Sequence, residues 1–159
     1  MKDLTIKSVF KVYHYDELST SDKELVDQAK KACERSYAPY SNFAVGAAAL
    51  LTNGVVVTGS NQENAAYPSG TCAERTTLFY ANSQYPDQAI ETLAVAAHNS
   101  KRFLPSPIPP CGACRQVIME VEKRGQKPIR ILLYGDNEIY ECNGIANLLP
   151  LSFEASAME

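Results

Sequence analysis

The stretch "GTCAERTTL" at residues 70–78 decides the interpretation of this chain, together with "PPCGACRQVI" at residues 109–118. Each stretch places cysteine at the predicted start of a helix, and the first adds a glutamate two positions after its cysteine. Three of the five cysteines of the chain lie in these two stretches. Thiols at two helix starts, one of them beside a carboxylate, indicate a metal centre or a reactive site.

The second stretch contains a C-x-x-C pair, Cys111 and Cys114. Residues three apart lie on nearly the same side of a helix, so both sulfurs can face one ion. Cys72 supplies a third thiolate if the two helix N-termini meet, and the positive end of a helix dipole favours the thiolate form. Three protein ligands are typical of catalytic zinc, whereas structural zinc usually takes four. The sequence therefore predicts a catalytic Zn²⁺ site.

Glu74 stands two residues after Cys72, in the same first turn. Zinc lowers the pKa of bound water towards about 7, but three thiolates leave the site formally negative and weaken this effect. A carboxylate beside the metal can take a proton from water and return it to the substrate or the leaving group. We therefore predict that Glu74 is catalytic, and that Arg75 offsets the thiolate charge through N–H···S contacts.

Other interpretations of these residues stay open. The pattern T-x-x-E at 71–74 also fits a capping box, in which the glutamate only caps its helix. The C-x-x-C pair alone fits a redox site. Cys142 is the one candidate for a fourth, structural ligand. Cys33, on the apolar face of a predicted helix, is expected in the core, and His14 and His98 are expected at the surface.

The composition is that of one globular domain. The chain has 159 residues, of which 45% are hydrophobic and 21% charged. A domain of this length buries roughly 70% of its unfolded surface, which is enough to fold without disulfides. We predict a single catalytic domain over residues 20–159, preceded by an N-terminal extension, residues 1–19, that packs on it.

Charge and hydropathy exclude several classes of partner. The net charge is −3 and the basic runs are short, so no broad basic face for nucleic acid is predicted, and a small-molecule substrate is favoured. No window approaches the ~20 apolar residues of a membrane span, and the N-terminus lacks the apolar run of a secretory signal. We expect a cytoplasmic protein, a compartment in which cysteine clusters more often bind metal than form disulfides.

Strand and helix patterns alternate along the chain. This alternation predicts an α/β layered fold with the cysteine-bearing helices together on one face of a sheet. The first helix has a predicted capping box at Ser21 and Glu24, and the first hairpin a predicted type I′ turn at Asn53-Gly54. The predicted elements are a helix over 20–37, a hairpin over 43–60, a helix over 71–81, a strand over 91–99, a loop over 100–110, a helix over 110–123, strands over 128–135 and 137–142, and a short helix over 144–150.

With these residues in place, the chain resembles the small, tetrameric class of cytidine deaminases. The known zinc-deaminase signature, H-x-E…P-C-x-x-C, stands here as "CAE" at 72–74 and "PCGAC" at 110–114, with cysteine in the histidine position as in the nucleoside-specific class. The similarity runs from "YAPYSNFAVGAAAL" to "LLPLSF". It implies a three-layer α/β/α fold, with a mixed sheet of roughly five strands and helices on both faces.

The resemblance also implies an activity. This is hydrolytic deamination of cytidine and deoxycytidine to uridine and deoxyuridine in pyrimidine salvage, with Zn²⁺ on Cys72, Cys111 and Cys114. Water would add at C4 of cytosine, Glu74 would protonate N3, and ammonia would leave. The small-molecule nucleoside would be the only substrate class, without nucleic-acid or membrane partners.

The same resemblance assigns the substrate-binding residues and the assembly. Asn61 and Glu63 would hold the sugar hydroxyls, and the backbone at Ala73 would meet the pyrimidine edge. A homotetramer is implied, with active sites shared between subunits, because Tyr67 and Phe153 match positions that reach the site from neighbouring subunits. The implied substrate-binding residues are Phe43, Asn61, Glu63, Ala65, Tyr67, Ala73 and Phe153.

The chain departs from the family pattern at two places, and rival functions remain. Residues 1–19 are longer than usual, and Pro109 stands where serine is common. One rival is the same chemistry on an aminated nucleoside antibiotic of the blasticidin type, and another is polynucleotide deamination, which the missing basic face disfavours. A non-catalytic, zinc-stabilised binding module is the rival of a different class, and it requires a fourth ligand such as Cys142.

Overall fold

A mixed β-sheet organises the chain in a computed structural model that describes residues 1–99 and 102–158. Within these residues the sheet has six strands in the order β1-β6-β5-β4-β2-β3. The β4–β5 pair is parallel, and all other neighbouring pairs are antiparallel. The strands are β1 (Lys11–Tyr13), β2 (Phe43–Leu51), β3 (Val56–Ser60), β4 (Ile90–Asn99), β5 (Arg130–Tyr134) and β6 (Ile139–Asn143).

Helices cover both faces of this sheet, which confirms the predicted three-layer α/β/α fold. On one face α1 (Thr20–Ala32) packs Leu25 and Val26 into an apolar cluster. On the other face α2 (Ala73–Gln84) and α3 (Gly112–Gly125) share a second cluster. The cysteine-bearing helices therefore lie together, as predicted. None of the described helices is long and apolar enough to cross a membrane.

Strand β4 lies between β2 and β5, and its apolar run is buried on both faces from Thr92 to Ala97. This is the pattern of a strand covered by helices on both sides. The predicted loop over 100–110 begins with two residues that lie outside the described part of the chain. Its later residues lead directly into α3, so the sheet and this loop together fix where the C-x-x-C pair stands.

The sheet has six strands rather than the predicted five, because the N-terminal segment supplies β1. This strand pairs with β6, placing Lys11 opposite Glu141. The Lys11 ammonium lies 3.0 Å from the Glu141 carboxylate, and Arg130 bridges Glu141 and Asp22. An ion-pair network therefore joins β1 to the body of the fold. The predicted boundary between an N-terminal extension, residues 1–19, and a catalytic domain, residues 20–159, stays a prediction.

Two local predictions were wrong. The N-cap of α1 is Ser19, whose hydroxyl accepts a hydrogen bond from the Asp22 N–H at 3.2 Å, so the predicted box at residues 21 and 24 does not form. The hairpin turn is not of type I′, which needs positive φ at both central residues. Only Gly54 has positive φ there, at 81°, and its N–H donates to the Leu51 carbonyl in a three-residue loop.

Gly46 allows α1 to approach β2 closely. A Cβ atom added at this position would lie 2.1 Å from the Ala29 carbonyl oxygen and 2.6 Å from the Cys33 nitrogen. Backbone atoms cannot move aside as a flexible side chain can. We expect Gly46→Ala to lower the free energy of unfolding by about 3 kcal/mol, measured by urea denaturation. Gly112→Ala is the matched control, since nothing lies within 4 Å of its added Cβ. Equal unfolding midpoints for the two variants would contradict this account.

Candidate active site

Three cysteines meet where α2 and α3 begin. Cys72 is the N-cap of α2 and Cys111 is the N-cap of α3, with Cys114 in the first turn of α3. The Cys72 and Cys111 sulfurs are 3.8 Å apart, and the Cys111 and Cys114 sulfurs are 3.4 Å apart. All three are free thiols. The structure thus brings together the three predicted metal ligands from two separate parts of the chain.

The spacing of these sulfurs fits zinc. A tetrahedral Zn²⁺ with Zn–S bonds of about 2.3 Å separates its sulfur ligands by roughly 3.8 Å. The three Sγ atoms all lie within 4.8 Å of one another. Within the described residues, no other group of three or more His, Cys, Asp or Glu side chains has such spacing. The third sulfur beside the C-x-x-C pair favours a metal centre over a redox pair.

The other two cysteines are not part of this cluster. Cys33 is 3% exposed and packs with α1, as expected for a core residue. Cys142 is buried in the core on the α2 and α3 side, where burial raises its pKa to about 11. The Cys142 sulfur is not among the three that lie within 4.8 Å of one another. The fourth-ligand alternative, and with it the closed structural site, has no support among the described residues.

Arg75 neutralises part of the thiolate charge. Its Nη2 lies 3.9 Å from the Cys72 sulfur and 3.5 Å from the Gly70 carbonyl oxygen. The pKa of Cys72 falls to about 5, chiefly through its hydrogen bond with Cys114, with Arg75 adding to the effect and burial opposing it. The positive charge of Arg75 therefore favours the thiolate form of Cys72.

Glu74 lies in the first turn of α2 and is 5% exposed. Burial is the largest cause that raises its pKa, and the negative charge of Cys72 raises it further, while a hydrogen bond with Cys114 opposes them. A carboxyl with a raised pKa is suited to take up and release a proton near neutral pH. The capping-box alternative fails, because the N-cap of α2 is Cys72 and no side chain caps it.

A cavity of about 740 Å³ opens beside Glu74 and the cysteines. Among the predicted site residues, Ala65, Ala73, Cys114 and Phe153 do not line it. Ala73 and Cys114 are fully buried behind the cavity wall, and Phe153 is 63% exposed elsewhere on the surface. The predicted residues that do line the cavity are Phe43, Asn61, Glu63, Tyr67, Cys72, Glu74, Arg75 and Cys111.

Asn61 is held in one orientation at the cavity wall. Its Oδ1 accepts hydrogen bonds from the Val45 N–H at 2.8 Å and the Ser36 hydroxyl at 2.5 Å. Its Nδ2 donates to the Phe43 carbonyl at 2.9 Å. An amide group has two N–H donors, so one donor is left for a ligand. Asn61 can therefore offer a hydrogen bond to an oxygen atom in the cavity.

Glu63 presents an ionised carboxylate at the same wall. Its Oε2 accepts hydrogen bonds from the backbone N–H groups of Tyr40 at 2.9 Å and Ser41 at 3.3 Å. The Ser41 hydroxyl, followed by these backbone groups, lowers the pKa of Glu63. Both backbone N–H groups bind Oε2. The other carboxylate oxygen, Oε1, is not used by them and can accept a hydrogen bond from a ligand hydroxyl.

Sequence analysis missed several residues of the cavity wall. The stretch "APYSN" at 38–42 reads only as the end of a helix, yet Tyr40 and Ser41 line the cavity. Tyr40 also packs edge-to-face on Tyr67, with ring centroids 6.3 Å apart. The sequence offered one indication of this role, because residues 38–42 fall within the segment that resembles the cytidine deaminases. The remaining missed residues are Val45, Gln62, Asn64, Gly70, Thr71 and Ile108.

Comparisons with known proteins agree with this geometry. The family model described as the cytidine and deoxycytidylate deaminase zinc-binding region matches residues 19–126. This region contains all three clustered cysteines and Glu74. The chain belongs to this deaminase family, which confirms the resemblance found in the sequence.

Individual relatives cover most of the chain. A cytidine deaminase from Halalkalibacterium halodurans is 43% identical over 134 residues, which is 84% of this chain and 95% of the relative. One from Sporosarcina psychrophila is 42% identical over 132 residues, 82% of this chain and 90% of the relative. The crystal structure of cytidine deaminase from Burkholderia pseudomallei aligns with a TM-score of 0.71 and 37% identity, over 86% of this chain and all of that chain.

Proposed function

We propose that this protein catalyses the hydrolytic deamination of cytidine and deoxycytidine to uridine and deoxyuridine, with release of ammonia, as a step of pyrimidine salvage. The observation that carries the proposal is the cluster of three thiols beside the buried carboxyl of Glu74, at the wall of a cavity. Relatives at 42% and 43% identity that are named cytidine deaminases support the same substrate.

Cys72, Cys111 and Cys114 hold Zn²⁺, which when bound makes a water molecule acidic enough to react near neutral pH. Glu74 takes the proton that the water loses and delivers it to N3 of the cytosine ring. A bond forms between the water oxygen and C4. Glu74 then takes the second proton of this oxygen, now the C4 hydroxyl, and passes it to the amino group as the C4–N4 bond breaks and the C4=O bond forms. Ammonia and uridine are the products, so atoms and charges balance.

The other end of the cavity binds the sugar. Asn61 donates its remaining N–H to a sugar oxygen, and Glu63 accepts from a sugar hydroxyl. Phe43 packs on the nucleoside. The role of the Ala73 backbone at the pyrimidine edge rests on the resemblance alone, because Ala73 is fully buried and does not line the cavity. Ala65 belongs to the same substrate-binding segment as Asn61 and Glu63.

The charge of the cavity favours a nucleoside over a nucleotide. Among the described residues that line it, Arg75 is the one cation, and it is engaged with the Cys72 sulfur. Glu63 carries a negative charge at the sugar end, because its pKa is lowered. A 5′-phosphate would find no described cation free to neutralise it in this cavity, and Glu63 adds a negative charge at the sugar end, so deoxycytidylate is a poor substrate.

We further propose a homotetramer whose subunits share their active sites. Tyr67 is 78% exposed at the rim of the cavity of its own chain, and Phe153 is 63% exposed away from it, so both side chains are available to contact a neighbouring subunit. Phe79 and Tyr80 add exposed aromatic surface on α2. The cytoplasmic location and the absence of nucleic-acid or membrane partners stay predictions from the sequence.

Ammonia release from the zinc-loaded protein tests the activity. We expect turnover of cytidine and deoxycytidine, and a kcat/KM for deoxycytidylate at least about 100-fold lower, a difference of about 2.7 kcal/mol. Protein with one zinc per chain that releases no ammonia from either nucleoside would contradict the proposal. That result would point to another aminated substrate, such as a blasticidin-type nucleoside. Efficient turnover of deoxycytidylate would contradict the charge argument alone.

A further inference from the structure

The turn between α1 and β2, residues Ala38–Asn42, ends on a residue with a left-handed backbone. The Asn42 N–H donates to the Ala38 carbonyl at 3.0 Å, which closes the turn in the manner of a single helical turn. Asn42 then adopts a left-handed backbone with φ of 54°. The Phe43 N–H donates back to the Ser41 hydroxyl at 3.1 Å. The chain thus reverses direction at Asn42 immediately before it enters β2.

This turn directs two consecutive backbone N–H groups at one carboxylate oxygen. The N–H groups of Tyr40 and Ser41 both donate to Glu63 Oε2. Successive N–H groups that converge in this way form a concave anion site. The backbone of the same segment is also tied to the substrate-binding loop, because Tyr37 exchanges hydrogen bonds with the backbone of Asn61 at 3.0 Å and Glu63 at 2.8 Å. Side chain and backbone of Glu63 are therefore both fixed from this segment.

We propose that the turn Ala38–Asn42 positions Glu63, with Asn42 as the positioning residue, so that Oε1 meets a hydroxyl of the substrate sugar. The identity of that ligand rests on the function proposed above. Asn42 acts through its backbone, since its side chain is exposed and does not line the cavity. Asparagine and glycine adopt the left-handed region readily, whereas a β-branched residue does so at a large cost. Valine at this position would therefore open the turn and release Glu63.

The first test is a comparison of kinetic constants in the zinc-loaded protein. Asn42→Val is expected to raise KM for cytidine by about tenfold with a smaller change in kcat, because the lost interaction is with the sugar and not with the reacting atoms. The conservative variant Asn42→Gly keeps the left-handed backbone and the KM of the original protein. With 2′,3′-dideoxycytidine, which lacks both ring hydroxyls, Asn42→Val has no effect on KM. An unchanged KM for cytidine in Asn42→Val, or an equal rise with both substrates, would overturn the proposal.

The second test does not depend on turnover. Carboxyl NMR titration is expected to give Glu63 a pKa below its ordinary value in the original protein and in Asn42→Gly, and a pKa near its ordinary value in Asn42→Val. If cytidine releases no ammonia at all, the proposed function fails, and this titration still decides the role of the turn. A lowered Glu63 pKa that persists in Asn42→Val would overturn it. Should the valine variant not fold, Asn42→Ala, which carries a smaller backbone penalty, replaces it in both tests.

Discussion

Glu74→Gln lowers kcat for cytidine by about 1,000-fold, while the protein keeps its fold and its zinc. Glutamine has nearly the same shape as glutamate, so it fills the buried position at the start of α2 without opening a cavity. Its amide cannot accept a proton from water and return it to N3 or to the leaving amino group. The loss therefore falls on the chemical step rather than on folding or metal binding.

Three measurements separate these effects. Ammonia release gives kcat, metal analysis gives zinc per chain, and urea denaturation gives the free energy of unfolding. Glu120→Gln is the matched control, because it makes the same chemical change at an exposed position of α3. Near-normal turnover in Glu74→Gln would exclude the proton-transfer role, whereas a loss of zinc would show that the carboxylate supports the metal site.

Cys111→Ala removes the zinc and abolishes activity. The Cys111 sulfur lies 3.8 Å from that of Cys72 and 3.4 Å from that of Cys114, and its loss leaves only two thiols for the ion. Because metal binding stabilises the folded state, we expect the variant to be less stable than the zinc-loaded protein by several kcal/mol, about 4 kcal/mol at zinc concentrations 1,000 times the Kd.

Cys111 has a second role that the experiment must separate from metal binding. As the N-cap of α3 it accepts a hydrogen bond from the Cys114 N–H at 3.4 Å, and losing a cap costs about 1 kcal/mol by itself. Cys111→Ser keeps a capping side chain but not the thiolate, so it isolates the contribution of the metal.

Thermal unfolding with and without a chelator is the measurement. The chelator lowers Tm of the original protein and leaves both variants unchanged. A fully active Cys111→Ala protein that carries no zinc would disprove the ligand assignment.

The metal site was predictable because its signals are local. The spacing of Cys111 and Cys114 fixes their relative direction on any helix, and Glu74 shares a helical turn with Cys72. What no local rule could establish was that α2 and α3 begin side by side. That part of the prediction needed the sheet, whose parallel β4–β5 pair brings the two helices onto one face.

Features that depend on distant partners were missed. Strand β1 has only three residues, and its stabilising partner Glu141 lies far along the chain. Ser19 and Ser21 are equally suited to cap a helix, so the residue type could not show which of them is the N-cap of α1. Tyr40 and Ser41 hold Glu63 through backbone N–H groups, which nearly every residue possesses. Hydrogen bonds from backbone N–H groups therefore cannot be predicted from residue types.

The pairing of β1 with β6 sets an order for events during synthesis of the chain. Of the six described strands, β1 is made first, and it pairs with β6, which is made last, since the register joins Lys11 to Glu141. The three clustered cysteines, in contrast, are all present once residue 114 has emerged, and β5, whose parallel pairing with β4 brings α2 and α3 onto one face, is made before β6. The helices that carry these cysteines can therefore pack on β2–β5 before β6 is made, and β1 is the last of the described strands to join the sheet.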